Sequence, residues 1–341
     1  MKSKYFLKIV SIFSVIFFSI TATISITYAL QVKGAENVNF KINASNPETF
    51  TKVYYQSSFF YGGEGKVYAY AWDSENDANR NADWPGVEMT QESYQRSLYS
   101  YEVSNKYDKI IFHANVDDYD PTKTENLNIN RTNVYYCQHS NTWVSNTSEC
   151  TFAYYLTGVL SGTSGWGNKT YENGLLKNYS GGNIDEYMKV DYIPKRGDEF
   201  KIIDNANNYY GHGGSTSGGN YNVLVNNNGD ATAQVYFTLN SNLYSGVNFY
   251  FYNDNPDSFG YKLWCHQWPD GGSGTPWPGN LMTRDGTGGD YWFYSNVPLY
   301  YDCLKFNNKG DGGKGNLETA DLKSIDISKP YYKSGNWSSS K

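Results

Sequence analysis

The stretch VYAYAW, Val67 to Trp72, alternates three aliphatic residues with three large aromatic ones. Successive side chains of a β-strand point to opposite faces, so Tyr68, Tyr70 and Trp72 share one face of the strand. If the aliphatic face packs against a core, the three rings face the solvent as an aromatic platform. The fold and the function of the chain both depend on which face is buried.

The composition predicts an all-β protein with many turns. Among 341 residues there are 34 Tyr, 17 Phe, 9 Trp and 33 Gly, and long helical repeats of Leu, Ala, Glu and Lys are missing. Aromatic residues favour strands, and glycine favours the turns between them. The length allows two or three domains of about 100 residues each.

The charge pattern predicts a neutral partner. The formal net charge is −6, and no basic run follows Lys8, which disfavours nucleic acid and anionic membranes as partners. The four histidines lack the spacing of a zinc site, and the acidic loop Asp117–Asp120 has the pattern of a solvated loop. We therefore predict no metal and no cofactor, and no feature indicates an oligomer.

The N-terminus predicts export. Lys2, Lys4 and Lys8 precede an uncharged run, Ile9 to Val32, and Ala29 supplies a small residue for cleavage. This pattern is typical of a secretory signal peptide over residues 1–29. An uncleaved anchor is the alternative, because the run is long enough to span a bilayer. In either case the remainder is extracytoplasmic, secreted or tethered at the surface.

The four cysteines form two local pairs, Cys137 with Cys150 and Cys265 with Cys303. An exported protein permits disulfides, so both pairs are candidates. Spacing does not prove a pairing, and four unpaired thiols are the alternative.

A long internal repeat divides the chain. Trp84-Pro85-Gly86 recurs as Trp277-Pro278-Gly279, and further matches follow at an offset of about 194 residues. The repeat defines a first copy, residues 37–145, and a second copy, residues 245–341. Between them a middle unit, residues 152–242, has its own alternating strands. No long linker separates the units, so we expect them to pack closely or to be joined by short turns.

The repeat predicts that the rings face outward. The second copy has KLWCHQW, Lys262 to Trp268, and we align Tyr70 and Trp72 with Trp264 and His266. A packed core is sensitive to volume, whereas this position tolerates Tyr, Trp and His. With Trp84 or Trp277 in the next loop, the rings predict a curved cradle. Such a cradle suits the C–H face of a pyranose in a helical chain.

These motifs carry a resemblance. Both copies resemble carbohydrate-binding module family 26, a starch-binding β-sandwich, in the ring-bearing strand, the WPG loop and the strand ending in Phe112 or Phe306. The resemblance implies tandem immunoglobulin-like β-sandwich modules that bind α-1,4-glucans. It implies ligand contacts from Tyr70, Trp72, Trp84, Trp264, His266 and Trp277, with polar contacts from Asn307, Lys123 and Glu318. Tyr68 is a further candidate, equally interpretable as a partly buried edge residue.

Two departures from the family pattern concern polar contacts. The family often has Phe-Asn-Asn, which the second copy keeps, whereas the first copy has Phe112-His113-Ala114-Asn115. Lys123 and Glu318 stand where the family often has glutamine.

The middle unit resembles the starch-binding modules of bacterial starch-utilisation surface proteins and amylolytic enzymes. The matching stretches are YYLTG, Tyr154 to Gly158, and a Gly-Trp turn at Gly165-Trp166. The resemblance implies Trp166, Tyr209 and Tyr210 as its candidate rings.

The sequence predicts a non-catalytic, multivalent α-glucan binder. A glycosidase needs a pair of carboxylates on a rigid frame, and no stretch is left for a catalytic barrel. A surface adhesin or assembly protein and a β-sandwich glycosidase are the alternatives. A separate amylolytic enzyme is a candidate partner besides the glucan itself.

Overall fold

The computed structural model of the protein describes residues 48–61, 66–92, 98–114, 122–161, 165–180, 183–286, 290–309 and 315–341. The predicted signal peptide and the acidic loop around Asp118 lie outside these residues. Within the described ranges, no helix is long and apolar enough to cross a membrane.

The all-β prediction is confirmed. Strand residues greatly outnumber helical residues in the described ranges, which contain one four-residue helix, α1 (Pro256–Phe259), and three short 3-10 turns at Thr147–Glu149, Tyr171–Asn173 and His212–Gly214. The strands within the described ranges are β1 (Phe50–Gln56), β2 (Phe59–Tyr61), β3 (Tyr68–Asp73), β4 (Asn76–Arg80), β5 (Val87–Glu88), β6 (Thr90–Gln91), β7 (Leu98–Ser104), β8 (Lys109–His113), β9 (Leu127–Asn128), β10 (Tyr135–Cys137), β11 (Thr142–Val144), β12 (Tyr154–Val159), β13 (Leu176–Ser180), β14 (Asn183–Tyr192), β15 (Glu199–Asp204), β16 (Tyr209–Tyr210), β17 (Tyr221–Asn222), β18 (Ala233–Thr238), β19 (Asn242–Tyr252), β20 (Trp264–Trp268), β21 (Asn280–Leu281), β22 (Thr283–Asp285), β23 (Trp292–Pro298), β24 (Cys303–Asn307), β25 (Leu322–Lys323), β26 (Tyr331–Lys333) and β27 (Asn336–Ser338).

The first copy is a two-sheet sandwich. One sheet has the order β11-β10-β1-β7-β6, and the other has β4-β3-β8-β9 with β5 paired to β3. Their inner faces meet through rings such as Tyr55 and Phe112, whose centroids are 4.8 Å apart. Val67, Ala69 and Ala71 are fully buried in this core. The aliphatic face of the VYAYAW strand is therefore the inner face, and its rings point outward.

The second copy repeats this arrangement. The sheet β21-β20-β24-β25 packs against a sheet that contains β19, β23, β22, β26 and β27. Phe251 and Phe306 meet across the core at 4.9 Å. Leu263, Cys265 and Gln267 are fully buried on the inner face of β20. The same alternation therefore places the rings of both copies on an outer face.

The sheets run across the predicted unit boundaries. The N-terminal part of β19 pairs with β18 of the middle unit, and its C-terminal part pairs with β23 of the second copy. The strand β2 of the first copy pairs with β13 of the middle unit. One core cluster extends from Leu156 in the middle unit to Ile327 in the second copy. The three-unit division stays a prediction, but the sheets do not stop at its boundaries.

One of the two cysteine pairings is present. Cys137 and Cys150 form a disulfide, with Cα atoms 5.6 Å apart. The pairing of Cys265 with Cys303 is wrong, because both thiols are free and buried. Cys265 lies opposite Phe306 in the β20–β24 ladder, whereas Cys303 lies opposite Trp268. The two side chains are therefore three rungs apart, too far for a bond.

We expect thiol labelling to distinguish these states. Burial raises the pKa of Cys265 to about 12 and that of Cys303 to about 11, so neither presents a reactive thiolate in the native protein. Alkylation without reductant should add no label to the native protein and two labels after denaturation. Mass spectrometry of the peptides checks this, and labels on Cys137 or Cys150 without reductant would contradict it.

Candidate functional site

The hydrogen bonds of the WPG loops fix the register between the two copies. Met89 N donates to Val67 O, and Met282 N donates to Leu263 O, both at 2.8 Å. Val67 is thus equivalent to Leu263. The loop glycines agree, since Gly86 lies against the carbonyl of Ala69 and Gly279 lies against the carbonyl of Cys265.

This register corrects the predicted alignment by two residues. The equivalents of Tyr68, Tyr70 and Trp72 are Trp264, His266 and Trp268. The error arose because the connection from strand to WPG loop spans 73–83 in the first copy and only 269–276 in the second. Sequence reasoning therefore missed Trp268. A gapless alignment of VYAYAW with LWCHQW, which matches the terminal tryptophans, would have found it.

The first cradle consists of Tyr70, Trp72 and Trp84. The Tyr70 ring lies 5.5 Å from Trp72 at an interplanar angle of 38°, and 5.5 Å from Trp84 at 63°. The two strand rings come from alternate positions of β3, and the third comes from the WPG loop. All three are half-buried. Their planes are tilted against one another, so the three rings do not form a flat row.

The second cradle consists of His266, Trp268 and Trp277. His266 lies 4.9 Å from Trp268 at 26° and 5.5 Å from Trp277 at 70°, which reproduces the geometry of the first cradle. Trp277 is 44% exposed. These rings line an open cleft of about 530 Å³, whose other lining residues are Gly272, Ser273, Gly274, Lys305 and Asp321.

Buried polar groups hold both WPG loops in place. Asn307 Nδ2 donates to the carbonyl of Pro278 at 3.0 Å, and His113 Nε2 makes the equivalent 3.0 Å contact with Pro85 O. Both side chains are fully buried. Asn307 therefore lies beneath its cradle, where it supports the loop rather than facing a ligand. His113, the departure from the family pattern, serves the first copy in the same way and stacks under Trp84 at 4.3 Å.

Tyr68 and Trp264 lie on the same outer faces, two residues before the cradles. Both are half-buried, and the Tyr68 ring stacks on His113 at 5.7 Å. Tyr68 therefore packs beside the residue that supports Trp84 and belongs to the margin of the first cradle.

Charged groups distinguish the second cradle from the first. Lys305 lies opposite His266 on β24, and its ammonium contacts Glu318 at 3.1 Å and Asp321 at 2.8 Å. The Lys305 ammonium lowers the pKa of the Asp321 carboxyl, although this group is largely solvent-exposed. In the first copy Ile111 lies opposite Tyr70. The predicted residue Glu318 thus reaches the second cradle through Lys305.

Burial and the nearby Lys305 lower the pKa of His266. The ring is therefore neutral at neutral pH. Its Nδ1 lies 3.2 Å from the hydroxyl of Thr275.

A lysine lies close to the loop tryptophan in each copy. Lys123 Nζ is 5.7 Å from the Trp84 ring centroid, and Lys309 Nζ is 5.4 Å from that of Trp277. The structure thus brings the predicted residue Lys123 to the first cradle. Lys309 reaches the second cradle from a different position in the repeat, so alignment of the copies does not reveal it.

The middle unit exposes two of its three predicted rings. Trp166 is 41% exposed, and its ring lies 6.3 Å from that of the half-buried Tyr209. Tyr210 points into the core, where its hydroxyl donates to Asp204 at 2.9 Å. Adjacent residues of a strand face opposite sides, so Tyr209 and Tyr210 do not share a surface. The prediction that Tyr210 belongs to a binding surface is wrong.

Within the described part of the chain, no group of three or more His, Cys, Asp or Glu side chains could hold a metal ion.

Comparison with known proteins gives little. No family model matches the chain, and no curated protein matches it. Among solved structures it is similar to CBMbc, a family CBM26 module from Eubacterium rectale Amy13K, in complex with maltoheptaose. The match has 11% sequence identity, covers 83% of this chain and 89% of that chain, and has a TM-score of 0.19. A likeness at this level supports no statement about what this chain binds.

We expect Gly279→Ala to destabilise the protein. A Cβ at this position would lie 2.2 Å from the carbonyl oxygen of Cys265, at a φ of +101°. We expect a loss of about 3 kcal/mol or more in the free energy of unfolding. Gly271→Ala is the matched control, since its φ is +79° and no atom lies within 4 Å. It should cost only about 1–2 kcal/mol.

Chemical denaturation of both variants measures the difference. Equal losses for Gly279→Ala and Gly271→Ala would mean that backbone strain alone matters. The close approach of the WPG loop to β20 would then not be essential.

Proposed function

We propose that the chain is a non-catalytic protein that binds α-1,4-glucan chains through several aromatic cradles. The observation that carries this proposal is the duplicated geometry of the rings. In both copies two rings on the outer face of a strand and one tryptophan of the WPG loop lie with neighbouring centroids 4.9–5.5 Å apart, while the inner face of the strand is fully buried.

The curvature of the cradles supports a helical glucan as the ligand. A pyranose presents C–H groups on its face and hydroxyls at its edge, so flat rings remove the C–H groups from water. The loop tryptophans are inclined to their strand neighbours at 63° and 70°, so the rings of each cradle are not coplanar. A straight, flat polysaccharide would fit a coplanar row of rings better. The rings also lose little rotamer entropy on binding, because each is already packed.

Polar groups at the cradle edges suit the hydroxyls of a sugar. Lys305 and Asp321 line the second cleft, and Lys123 lies over Trp84 in the first cradle. Charged donors and acceptors form the stronger hydrogen bonds with neutral hydroxyl groups. The pair of exposed rings in the middle unit, Trp166 and Tyr209, is a third candidate contact.

The state of the carboxylates supports binding rather than hydrolysis. A glycosidase needs one carboxyl group that stays protonated near neutral pH and donates to the leaving oxygen. In the second cleft, Lys305 lowers the pKa of Asp321, the opposite of what a general acid requires. We infer that any hydrolysis of the bound glucan is carried out by a separate amylolytic enzyme.

We also infer that the protein is exported, as a secreted or surface-tethered chain. The Cys137–Cys150 disulfide supports this location, because disulfides persist in oxidising compartments outside the cytosol. The signal peptide predicted over residues 1–29 supports the same location.

The loop tryptophans provide the direct test. We expect Trp84→Ala and Trp277→Ala each to weaken binding to insoluble starch, and the double variant to weaken it by at least about tenfold, since each substitution removes a stacking surface. Phe50→Ala is the control, because Phe50 is 56% exposed and lies on the opposite sheet of the first copy. Depletion isotherms measure the affinity, and chemical denaturation measures the stability.

Three outcomes would contradict the proposal. If the double variant binds starch as tightly as the unmodified chain, the cradles are not the binding sites. If the purified protein releases reducing sugar from soluble starch, it is an enzyme. Loss of binding equal to that of Phe50→Ala would indicate a general surface effect.

Binding at the second cradle should weaken in acid. A sugar stacked on His266 buries the ring further, and burial already lowers its pKa, so the ligand and the proton compete. Affinity should be constant above this pKa and should fall by up to about tenfold per pH unit below it. The measurement is isothermal titration of a Trp84→Ala/Trp166→Ala variant with maltoheptaose.

His266→Tyr in the same background is the matched control. Tyr70 occupies the equivalent position of the first cradle, and a phenol gains no positive charge in acid. This variant should bind with an affinity that is independent of pH. A persistent acid loss in it would assign the effect to another group.

A further inference from the structure

One wall of the second cleft is a short loop between β20 and the WPG turn. Gly272, Ser273 and Gly274 line the cleft from this loop. The loop returns along β20, since Thr275 N donates to Gln267 O at 2.8 Å. Gly274 lies so close to the strand that an added Cβ would be 1.9 Å from the carbonyl oxygen of Gln267. The position of this loop therefore sets the width of the cleft.

A buried carboxylate anchors the start of the loop. Asp302 Oδ1 accepts a hydrogen bond from the backbone N–H of Asp270 at 2.8 Å. Asp302 is only 2% exposed. A carboxylate at this depth requires a positive partner as well as a hydrogen bond.

The positive partner comes from the middle unit. Arg196 Nη2 donates to Asp302 Oδ2 at 2.9 Å, and Arg196 Nη1 donates to the carbonyl oxygen of Leu224. Within the described residues, no other ion pair involves Asp302. Burial opposes ionisation of Asp302, but the Asp270 N–H and Arg196 outweigh it, and its pKa lies below the usual range.

The first copy shows the same anchor without an external partner. Asp108, the equivalent of Asp302, accepts the N–H of Ser74 at 2.7 Å and also the Ser74 hydroxyl. Asp108 is exposed, and its carboxylate is held by a local serine rather than by a residue of another unit. In the second copy Asp270 replaces this serine, and its own side chain pairs with Lys323 at 2.8 Å. The anchor of the second copy therefore depends on Arg196.

We propose that Arg196 of the middle unit is a positioning residue for the second cradle. Through Asp302 it holds the loop that forms one wall of the α-1,4-glucan cleft. The inference rests on the proposed function for the identity of the ligand. It makes the middle unit and the second copy one binding unit, whether or not the middle unit contacts a sugar through its own rings.

The test compares two disruptions of the same interface. Arg196→Met removes the guanidinium, Arg196→Lys keeps a cation, and Asn228→Ala removes a hydrogen bond from Asn228 Nδ2 to Asp326 Oδ2 of 2.7 Å. The Asn228 contact joins the same two units but does not involve the loop. In the Trp84→Ala/Trp166→Ala background, isothermal titration with maltoheptaose reports on the second cradle.

We expect Arg196→Met to weaken binding by about tenfold, the loss typical of one charge-assisted hydrogen bond. Arg196→Lys should recover part of the affinity, and Asn228→Ala should leave it unchanged. Amide hydrogen exchange at Asp270 should accelerate in Arg196→Met only. This exchange measurement needs no ligand, so it tests the anchor separately from sugar binding.

Three outcomes decide whether Arg196 positions the loop of the second cradle. Unchanged affinity and unchanged Asp270 exchange in Arg196→Met would overturn the inference. An equal loss in Asn228→Ala would overturn it too, since general loosening of the interface would then explain the effect. If the parent background binds no glucan, the proposed function fails for this cradle, and faster Asp270 exchange would still support the anchor.

Discussion

Complete burial of small side chains on one face of β3 and β20 is the constraint on which both cradles depend. Ala69 and Ala71 in the first copy, and Cys265 in the second, are fully buried. Small residues let the facing sheet approach closely, and rings such as Tyr55 and Phe112 fill the space between the sheets. Because strand side chains alternate, the large rings of the same strands have no place except the outer face. The WPG loop then packs on the strand backbone and adds its tryptophan to the row.

Much of this could be predicted from the sequence, because alternation is a local property. The alternation in Val67–Trp72 divides the strand into two faces, and its recurrence in the second copy predicts both the buried face and a second site. The failures at Tyr210 and Trp268 were also local and avoidable. Strict alternation excludes Tyr209 and Tyr210 from a common surface, and a gapless strand alignment pairs Trp72 with Trp268.

Other features depend on contacts between distant residues, which spacing does not reveal. The sequence predicts that the Asn307 side chain contacts sugar. In the fold its amide instead lies beneath the loop and donates to the carbonyl of Pro278. Cys265 and Cys303 are close in sequence, yet the ladder register separates them. The pairing of Arg196 with Asp302 joins residues 106 positions apart. No periodicity or motif marks such a pair, because each partner alone has the appearance of an ordinary surface charge.

In this chain the relative placement of the cradles is set by a continuous sheet and not by flexible linkers. Modules on flexible linkers gain affinity in proportion to an effective concentration that the linker sets. Here β19 belongs to the ladders of both the middle unit and the second copy, and β2 of the first copy pairs with β13. The angle between the cradles is therefore set by strand pairing, and any polymer that contacts more than one of them has to match that angle. If the chain binds a polysaccharide as we propose, a flexible polymer adopts the required shape at a smaller conformational cost than a stiff, extended one.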